Sequence, residues 1–321
     1  MNPEIGILHQ LSVNRIYTVT TPTQTDLKAW LANGQYLLAQ PLSSNSNSRA
    51  TDFKLRVNYI DYYYASLAND CNRFSQAAIE TMWSVGEVPR LPKSAGWATI
   101  KMYYSAFFAA HAILRLYGRS CTQLSAEHVE KVHEIATATN YAGNATNIES
   151  GFYSSSFSTN EVGFRKIKDS HADTWASFYD LLSWIIQEIG STTGRGIHKA
   201  DAMTLLENIK SGITQSGATR GNWMSQIRNK INYQHSNGVW HPYVGVLHDN
   251  VMMSKNSEWL KGPTRFEIRQ GQSEVSAMFN VSNTILSLMY QLIKFGYERS
   301  GKKSVSLKNG TFRLLNQIHA V

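Results

Sequence analysis

The stretch YYSAFFAAHAILRLYG, Tyr103 to Gly118, decides the fold because it is apolar on nearly every face of the helix that it predicts. A helix of this kind is most stable where other elements cover it on several sides. We therefore expect a central helix over about 97–117, ended by Gly118. His111 and Arg115 lie one turn apart on it, which favours a polar pair in the core or in a dimer contact, with support of a catalytic site as the alternative.

Helical periodicity continues along most of the chain. Apolar residues from Phe53 to Met82 recur at steps of three and four, which predicts a long amphipathic helix that Pro89 and Pro92 would end. The same period predicts helices over residues 26–34, 125–138, 174–190, 200–213, 222–235 and 274–299. The fold class is therefore mainly α, an antiparallel helical bundle.

The N-terminal region and one internal segment depart from this pattern. Residues 1–50 combine a β-branched run at 12–20 with a short helix, which predicts a small α/β appendage before the polar linker SSNSNS. Residues 119–170 are less periodic, and their Ser/Asn/Gly-rich part at 140–160 is typical of an exposed insertion. We expect both regions to lie outside the bundle.

The helical domain would then span residues 51–300 and contain one candidate strand at 264–270. It is followed by a basic tail, 301–321, in which Asn309 and Gly310 form a typical two-residue hairpin signal. We therefore expect a short β-hairpin at the C-terminal end.

Composition indicates an ordinary globular chain with an excess of positive charge. The 321 residues are 42% hydrophobic and 17% charged, and the formal charge is +8. Met1 to Asn33 lack the features of a signal peptide, and charged residues break the apolar windows, so we expect a cytoplasmic protein without a membrane span. Cys71 and Cys121 form no CxxC pair and are interpreted as reduced core thiols. The positive charge is compatible with an anionic partner but identifies none. The densest basic stretch, 294–313, is interpreted as a solvated tail, with nucleic-acid contact as the alternative.

The segment RNKINYQH, Arg228 to His235, is the strongest candidate for a catalytic motif. Seven residues place Arg228 and His235 about 10 Å apart along one helix face, with Asn232 between them. Arginine supplies a permanent charge for phosphate oxygens, and histidine can exchange a proton near neutral pH. If the helix ends after His235, its dipole favours the imidazolium form, which suits a general acid.

Such a pair suits metal-independent RNA cleavage. The 2′-hydroxyl would attack the adjacent phosphorus, Arg228 would stabilise the phosphorane, and His235 would move a proton. The products would be a 2′,3′-cyclic phosphate and a 5′-hydroxyl, and DNA would be spared because it lacks the nucleophile. This chemistry needs no metal and no cofactor.

Other assignments remain open. RKIKDSH pairs Arg165 with His171, and RLLNQIH pairs Arg313 with His319. His235 would have a purely structural role if it only completes its helix.

Other histidines and tyrosines of the chain are better explained by packing or by a surface position. His235, His241, His248 and Asp249 suggest a metal site, but their spacings of six and seven suit neither a strand nor a helix, so none is expected. Tyr103 and its neighbour favour packing over base stacking. P-loop, Rossmann and serine-hydrolase motifs are missing from the sequence.

RNKINYQH resembles the Arg-x4-6-His signature of the HEPN superfamily, with a polar Asn229 directly after the arginine, and YYSAFFAAHAILRLYG resembles the second helix of many HEPN domains. The resemblance covers roughly residues 51–300. It implies a homodimer with one composite site, in which Arg228 and His235 are catalytic and Asn229 is a supporting polar residue. Many such proteins are ribonucleases of toxin or antiphage defence systems held in check by an antitoxin or another regulatory protein. Others are non-catalytic modules that bind RNA, a nucleotide or a protein.

Overall fold

The computed structural model describes residues 3–20, 25–40, 52–85, 95–141, 148–192, 196–234, 238–240, 257–268 and 272–318. Eleven α-helices are found in this part of the chain: α1 (Pro3–Gln10), α2 (Leu27–Ala32), α3 (Ile60–Trp83), α4 (Gly96–Leu116), α5 (Ala126–Ala138), α6 (Ala172–Ser191), α7 (Ile197–Ile213), α8 (Trp223–Gln234), α9 (Glu274–Arg299), α10 (Val305–Asn309) and α11 (Thr311–Gln317). Its five strands are β1 (Tyr36–Leu38), β2 (Phe53–Val57), β3 (Arg119–Leu124), β4 (Gly151–Ser158) and β5 (Glu161–Ile167).

The central helix is α4, as the sequence predicts. Nearly all its side chains are buried, because α3, α6, α8 and α9 pack around it. Gly118 follows it with a φ of +68°, a conformation that glycine adopts without the steric cost of a Cβ atom. The mainly helical class and the predicted helices over α2 and α5 to α9 are also confirmed.

A small antiparallel sheet is found where the sequence predicts the start of a helix and an exposed insertion. Phe53 to Val57 form β2 and not the start of a helix, since their burial alternates strictly and Lys54 and Arg56 face solvent. The predicted insertion at 119–170 is likewise wrong, because β3, β4 and β5 are paired strands. Part of it, residues 142–147, lies outside the described residues.

The sheet has the strand order β1-β2-β5-β4-β3. Tyr36 in β1 lies opposite Val57 in β2, and Phe53 lies opposite Phe164 in β5, with their rings stacked. The predicted strand at 12–20 is instead a 3-10 turn, Asn14–Thr18. Since β1 is an edge strand of this sheet, the N-terminal region shares it with the rest of the chain.

The C-terminal hairpin prediction is wrong. Residues 305–317 form the two short helices α10 and α11, which pack on α3. The Thr311 amide donates to Asn72 Oδ1 at 2.9 Å, and the side chains of Leu307 and Leu315 are fully buried. Leu307 and Leu315 therefore anchor the tail in the hydrophobic core, whereas its basic residues Lys302, Lys303, Lys308 and Arg313 are exposed.

The candidate strand at 264–270 is not found in its described part, where residues 263–265 form a 3-10 turn. Residues 269–270 lie outside the described residues. None of the helices in the described ranges combines the length and the apolar character needed to cross a membrane.

Candidate functional site

Helix α8 carries the predicted motif and packs by one edge. Trp223, Ile227 and Ile231 form the buried stripe that the sequence predicts. On the neighbouring face, the Arg228 and Asn232 side chains are half-buried and Asn229 is exposed. His235 follows the last residue of α8 and lies outside the described residues.

Gly96 and Trp240 brace the C-terminal end of α8. The indole Nε1 of Trp240 donates to the carbonyl oxygen of Ile231 at 2.8 Å. Its ring packs directly on Gly96 at the start of α4, where an added Cβ would lie 2.5 Å from a ring carbon. The end of the motif helix is thus held against the central helix.

The Arg228 guanidinium has no carboxylate partner among the residues that the structure describes. Its central carbon lies 5.5 Å from the centre of the Tyr103 ring, a cation–π contact with the central helix. Its Nε atom is buried and makes no hydrogen bond with any residue in the described ranges. A buried donor without a partner is costly, so a ligand anion would be stabilised here.

The Tyr103 hydroxyl joins three elements of the fold around Arg228. It lies 2.8 Å from Nδ1 of His171 and 3.4 Å from Oγ of Ser225, and it accepts a hydrogen bond from Nε1 of Trp175 at 3.2 Å. Tyr103 and Trp175 are fully buried, whereas His171 is half-buried just before α6. The hydroxyl therefore fixes the orientation of a partly accessible imidazole.

The electrostatic environment favours the neutral form of that imidazole. Burial lowers the pKa of His171, and the positive charge of Arg228 lowers it further, against a smaller opposing effect of Asp169. Burial raises the pKa of Tyr103, so the phenol keeps its proton at neutral pH. With Nδ1–H donated to the phenol oxygen, His171 would present an unprotonated Nε2 that can accept a proton.

The other two Arg–His pairs are not brought together as pairs in the described structure. Arg165 lies on β5 and forms an ion pair with Asp52 at 3.5 Å, whereas His171 contacts the central helix. Arg313 is exposed on α11, and His319 lies outside the described residues. His171 thus becomes a neighbour of Arg228.

His111 and Arg115 form a buried polar pair, as expected from the sequence. Nδ1 of His111 accepts a hydrogen bond from Nη1 of Arg115 at 2.9 Å, and Arg115 Nε lies 3.6 Å from Oδ2 of Asp70. The Phe107 ring centre lies 4.7 Å from that of His111 and 4.6 Å from that of His171. This pair therefore lies behind the candidate site, one aromatic ring away from it.

No cluster of His, Cys, Asp and Glu suited to a metal is found among the described residues. His241, His248 and Asp249 lie outside them, together with His235.

Sequence reasoning missed the neighbours of Arg228. Tyr103 was interpreted as a packing residue, His171 was paired with another arginine, and Trp175 and Ser225 were not singled out. They come from α4, α6 and α8, so no spacing within one helix could have identified them. The sequence contains one signal for them, namely polar residues at helix positions whose neighbours along the helix are apolar.

No protein-family model matches this chain, and searches of curated proteins and of solved structures give no significant match.

Proposed function

We propose that this protein is a metal-independent endoribonuclease whose active site is built on Arg228. One observation carries the proposal: a half-buried guanidinium, which has no carboxylate partner among the described residues, lies beside an imidazole whose pKa is lowered by burial and by that same charge. Phosphodiester cleavage needs these two groups, an anion-stabilising cation and a proton acceptor.

The proposed reaction uses two histidines with opposite roles. Nε2 of His171 takes the proton from the 2′-hydroxyl while the 2′-oxygen attacks the adjacent phosphorus. Arg228 stabilises the negative charge of the phosphorane. His235, which follows α8 in the sequence, gives a proton from its imidazolium form to the departing 5′-oxygen as the bond between phosphorus and that oxygen breaks. One strand end keeps a 2′,3′-cyclic phosphate, and the other keeps a 5′-hydroxyl.

The proposed assembly is a HEPN-like homodimer, in which two α8 helices face each other and contribute to one site. Tyr233 supports this assembly, because its large side chain is 73% exposed on the motif helix. Exposed aromatic residues are typical of the anchors of protein interfaces. Asn229 and Asn232 would supply hydrogen bonds to the RNA, and a toxin or defence role would require a regulatory partner.

Product chemistry tests the proposal. A fluorescent RNA and its DNA counterpart would be incubated with EDTA and with wild-type protein, Arg228→Ala, His171→Ala or His235→Ala. We expect RNA-only cleavage with cyclic phosphate ends, reduced by about 10²-fold or more in each variant.

Two surface variants serve as matched controls, Arg56→Ala and His198→Ala. Arg56 is an exposed arginine paired with Glu161, and His198 is an exposed histidine paired with Asp201. Equal cleavage by all variants would reject the site. RNA bound with intact ends would show a non-catalytic binding module instead, and induced expression of the same set would report toxicity.

A further inference from the structure

A cavity of about 300 Å³ lies on the other side of Phe107 from the proposed active site. It is enclosed by the centre of α4 and the facing part of α3, with one wall from β3 and another from the start of α6. Its described lining residues include three phenylalanines, Phe74, Phe107 and Phe152, and the His111 ring stacks on Phe74 and meets Phe107 edge to face.

His111 carries an unused hydrogen-bond donor at this cavity. The residue is only 7% exposed, and its Nδ1 accepts from Arg115. Burial and the neighbouring charge of Arg115 hold the pKa of His111 well below its ordinary value, so the ring is neutral and its proton is on Nε2. Nε2 makes no hydrogen bond with a described residue. A ligand acceptor would satisfy it.

The charges at the cavity favour an anion. Among the described lining residues, Lys28, Arg73 and Arg115 are positive and Asp70 is negative. Asp70 pairs with Arg115 at 3.6 Å and with Arg73 at 2.8 Å, while Lys28 forms no ion pair with a described residue. Arg73 uses one nitrogen for Asp70, its guanidinium lies over the Phe74 ring, and its side chain is 59% exposed. Its other nitrogens form no hydrogen bond with a described residue and can bind a ligand at the rim.

We propose that this cavity binds a small anion with a planar aromatic ring, whose ring packs against Phe152 beside Phe107 and whose anionic group is bound by Arg73 and Lys28. An acceptor atom on the ligand takes the His111 Nε2 proton. The volume is near the lower limit for ligand pockets, which selects a single ring system. Aromatic carboxylates and nucleoside monophosphates both have this chemistry. The site is independent of RNA cleavage.

Calorimetric titration of the full chain tests the proposal. The probes are phenylacetate and uridine 5′-monophosphate, each compared with a neutral analogue, phenylacetamide or uridine, and with a ringless anion, acetate or phosphate. We expect one of the two probes to bind at least about tenfold more tightly than both of its comparators, because ring and charge contribute separately. That probe identifies the source of the ligand.

Variants locate the binding. Arg73→Ala should weaken the bound probe about tenfold, since it removes a charge-assisted hydrogen bond. His111→Phe keeps an aromatic ring of similar size but lacks the donor, and its folding is checked by circular dichroism. Arg56→Ala, the paired surface arginine on the sheet, should bind like wild type.

No binding of either probe up to millimolar concentration would overturn the proposal. Equal binding of a ringless anion would overturn the aromatic part, and equal binding of Arg73→Ala and wild type would place the ligand elsewhere.

Discussion

Tyr103→Phe is the sharpest test of the candidate site, because it removes one oxygen atom and keeps the ring beneath Arg228. That oxygen lies within hydrogen-bond distance of His171 Nδ1, Trp175 Nε1 and Ser225 Oγ, at 2.8, 3.2 and 3.4 Å. The substitution therefore removes the hydroxyl that orients the His171 imidazole and leaves the packing of the central helix unchanged.

The three contacts contribute unequally to the expected loss. Trp175 is fully buried, so its N–H would be left without an acceptor at a cost of about 1–3 kcal/mol. His171 is half-buried and can exchange its lost partner for water, and the contact with Ser225 is long, so both add little. We expect the free energy of unfolding to fall by about 2 kcal/mol. Cleavage should slow by about 10- to 100-fold, because the His171 ring loses the group that orients it.

Urea denaturation followed by tryptophan fluorescence measures the first effect, and single-turnover RNA cleavage measures the second. Tyr104→Phe is the matched control: Tyr104 is the next residue on α4, its ring centre lies 6.1 Å from that of His171, and its hydroxyl forms no hydrogen bond with a described residue. The reasoning is refuted if the two variants have the same stability and the same rate.

Three further outcomes follow from the buried groups. Asp70→Ala should lower the free energy of unfolding by about 3–5 kcal/mol, measured in urea, because Arg115 would lose its buried carboxylate. Since the folded pKa of His111 lies well below the unfolded value of about 6.5, the stability is fully present above that pH and is lost as the pH falls below it, by up to about 1.4 kcal/mol per pH unit. Denaturation of the wild type and of His111→Phe between pH 8 and 5 measures the share of His111, because the lowered pKa values of His171 and His9 add to the same slope. Gly96→Ala should lower the melting temperature and slow cleavage, because the added Cβ displaces Trp240 from the end of α8 at a cost of about 1–3 kcal/mol.

Each of these expectations has its own control. Asp61→Ala removes an exposed carboxylate that pairs with Arg15 and should change stability little. Gly190→Ala places a methyl group 3.9 Å from Met203 on the last turns of α6, so it should be neutral or slightly stabilising. A stability that stays constant from pH 8 to 5 would contradict the assignment of His111 as a buried neutral base.

The central helix could be predicted because a helix that is buried on every side has apolar residues at nearly all of its positions. An apolar stretch as long as α4 has few stable positions outside the middle of a bundle. The buried stripe of α8 was predictable for a related reason, since a three-to-four period needs only one covered face. In both elements the pattern of neighbouring residues along the chain is sufficient to predict the helix and its buried face.

The sheet was not predictable in this way, because the sequences of its strands are also compatible with a helix or with a loop. Phe53 and Val57 are four residues apart, which fits a helix as well as a strand, and only the pairing with β5 decides between them. The serines of β4 read as a loop, yet the strand pairs on both sides, and Ser120 and Ser155 are hydrogen-bonded to each other at 2.6 Å in place of apolar contacts. The Asn309-Gly310 turn signal failed because α10 and α11 bury Leu307 and Leu315, which outweighs the local preference.

The candidate site lies between these two cases. Arg228 could be found from its own helix, but the chemical role proposed for its charge also depends on Tyr103 and His171, which tertiary packing alone brings near it. A pair of residues on one helix face can bind an anion, whereas proton transfer also needs an oriented base whose pKa is set by burial. The packing of α4, α6 and α8 supplies that second requirement. For this reason a variant of Tyr103, which no motif includes, tests the proposed chemistry more stringently than a variant of the motif itself.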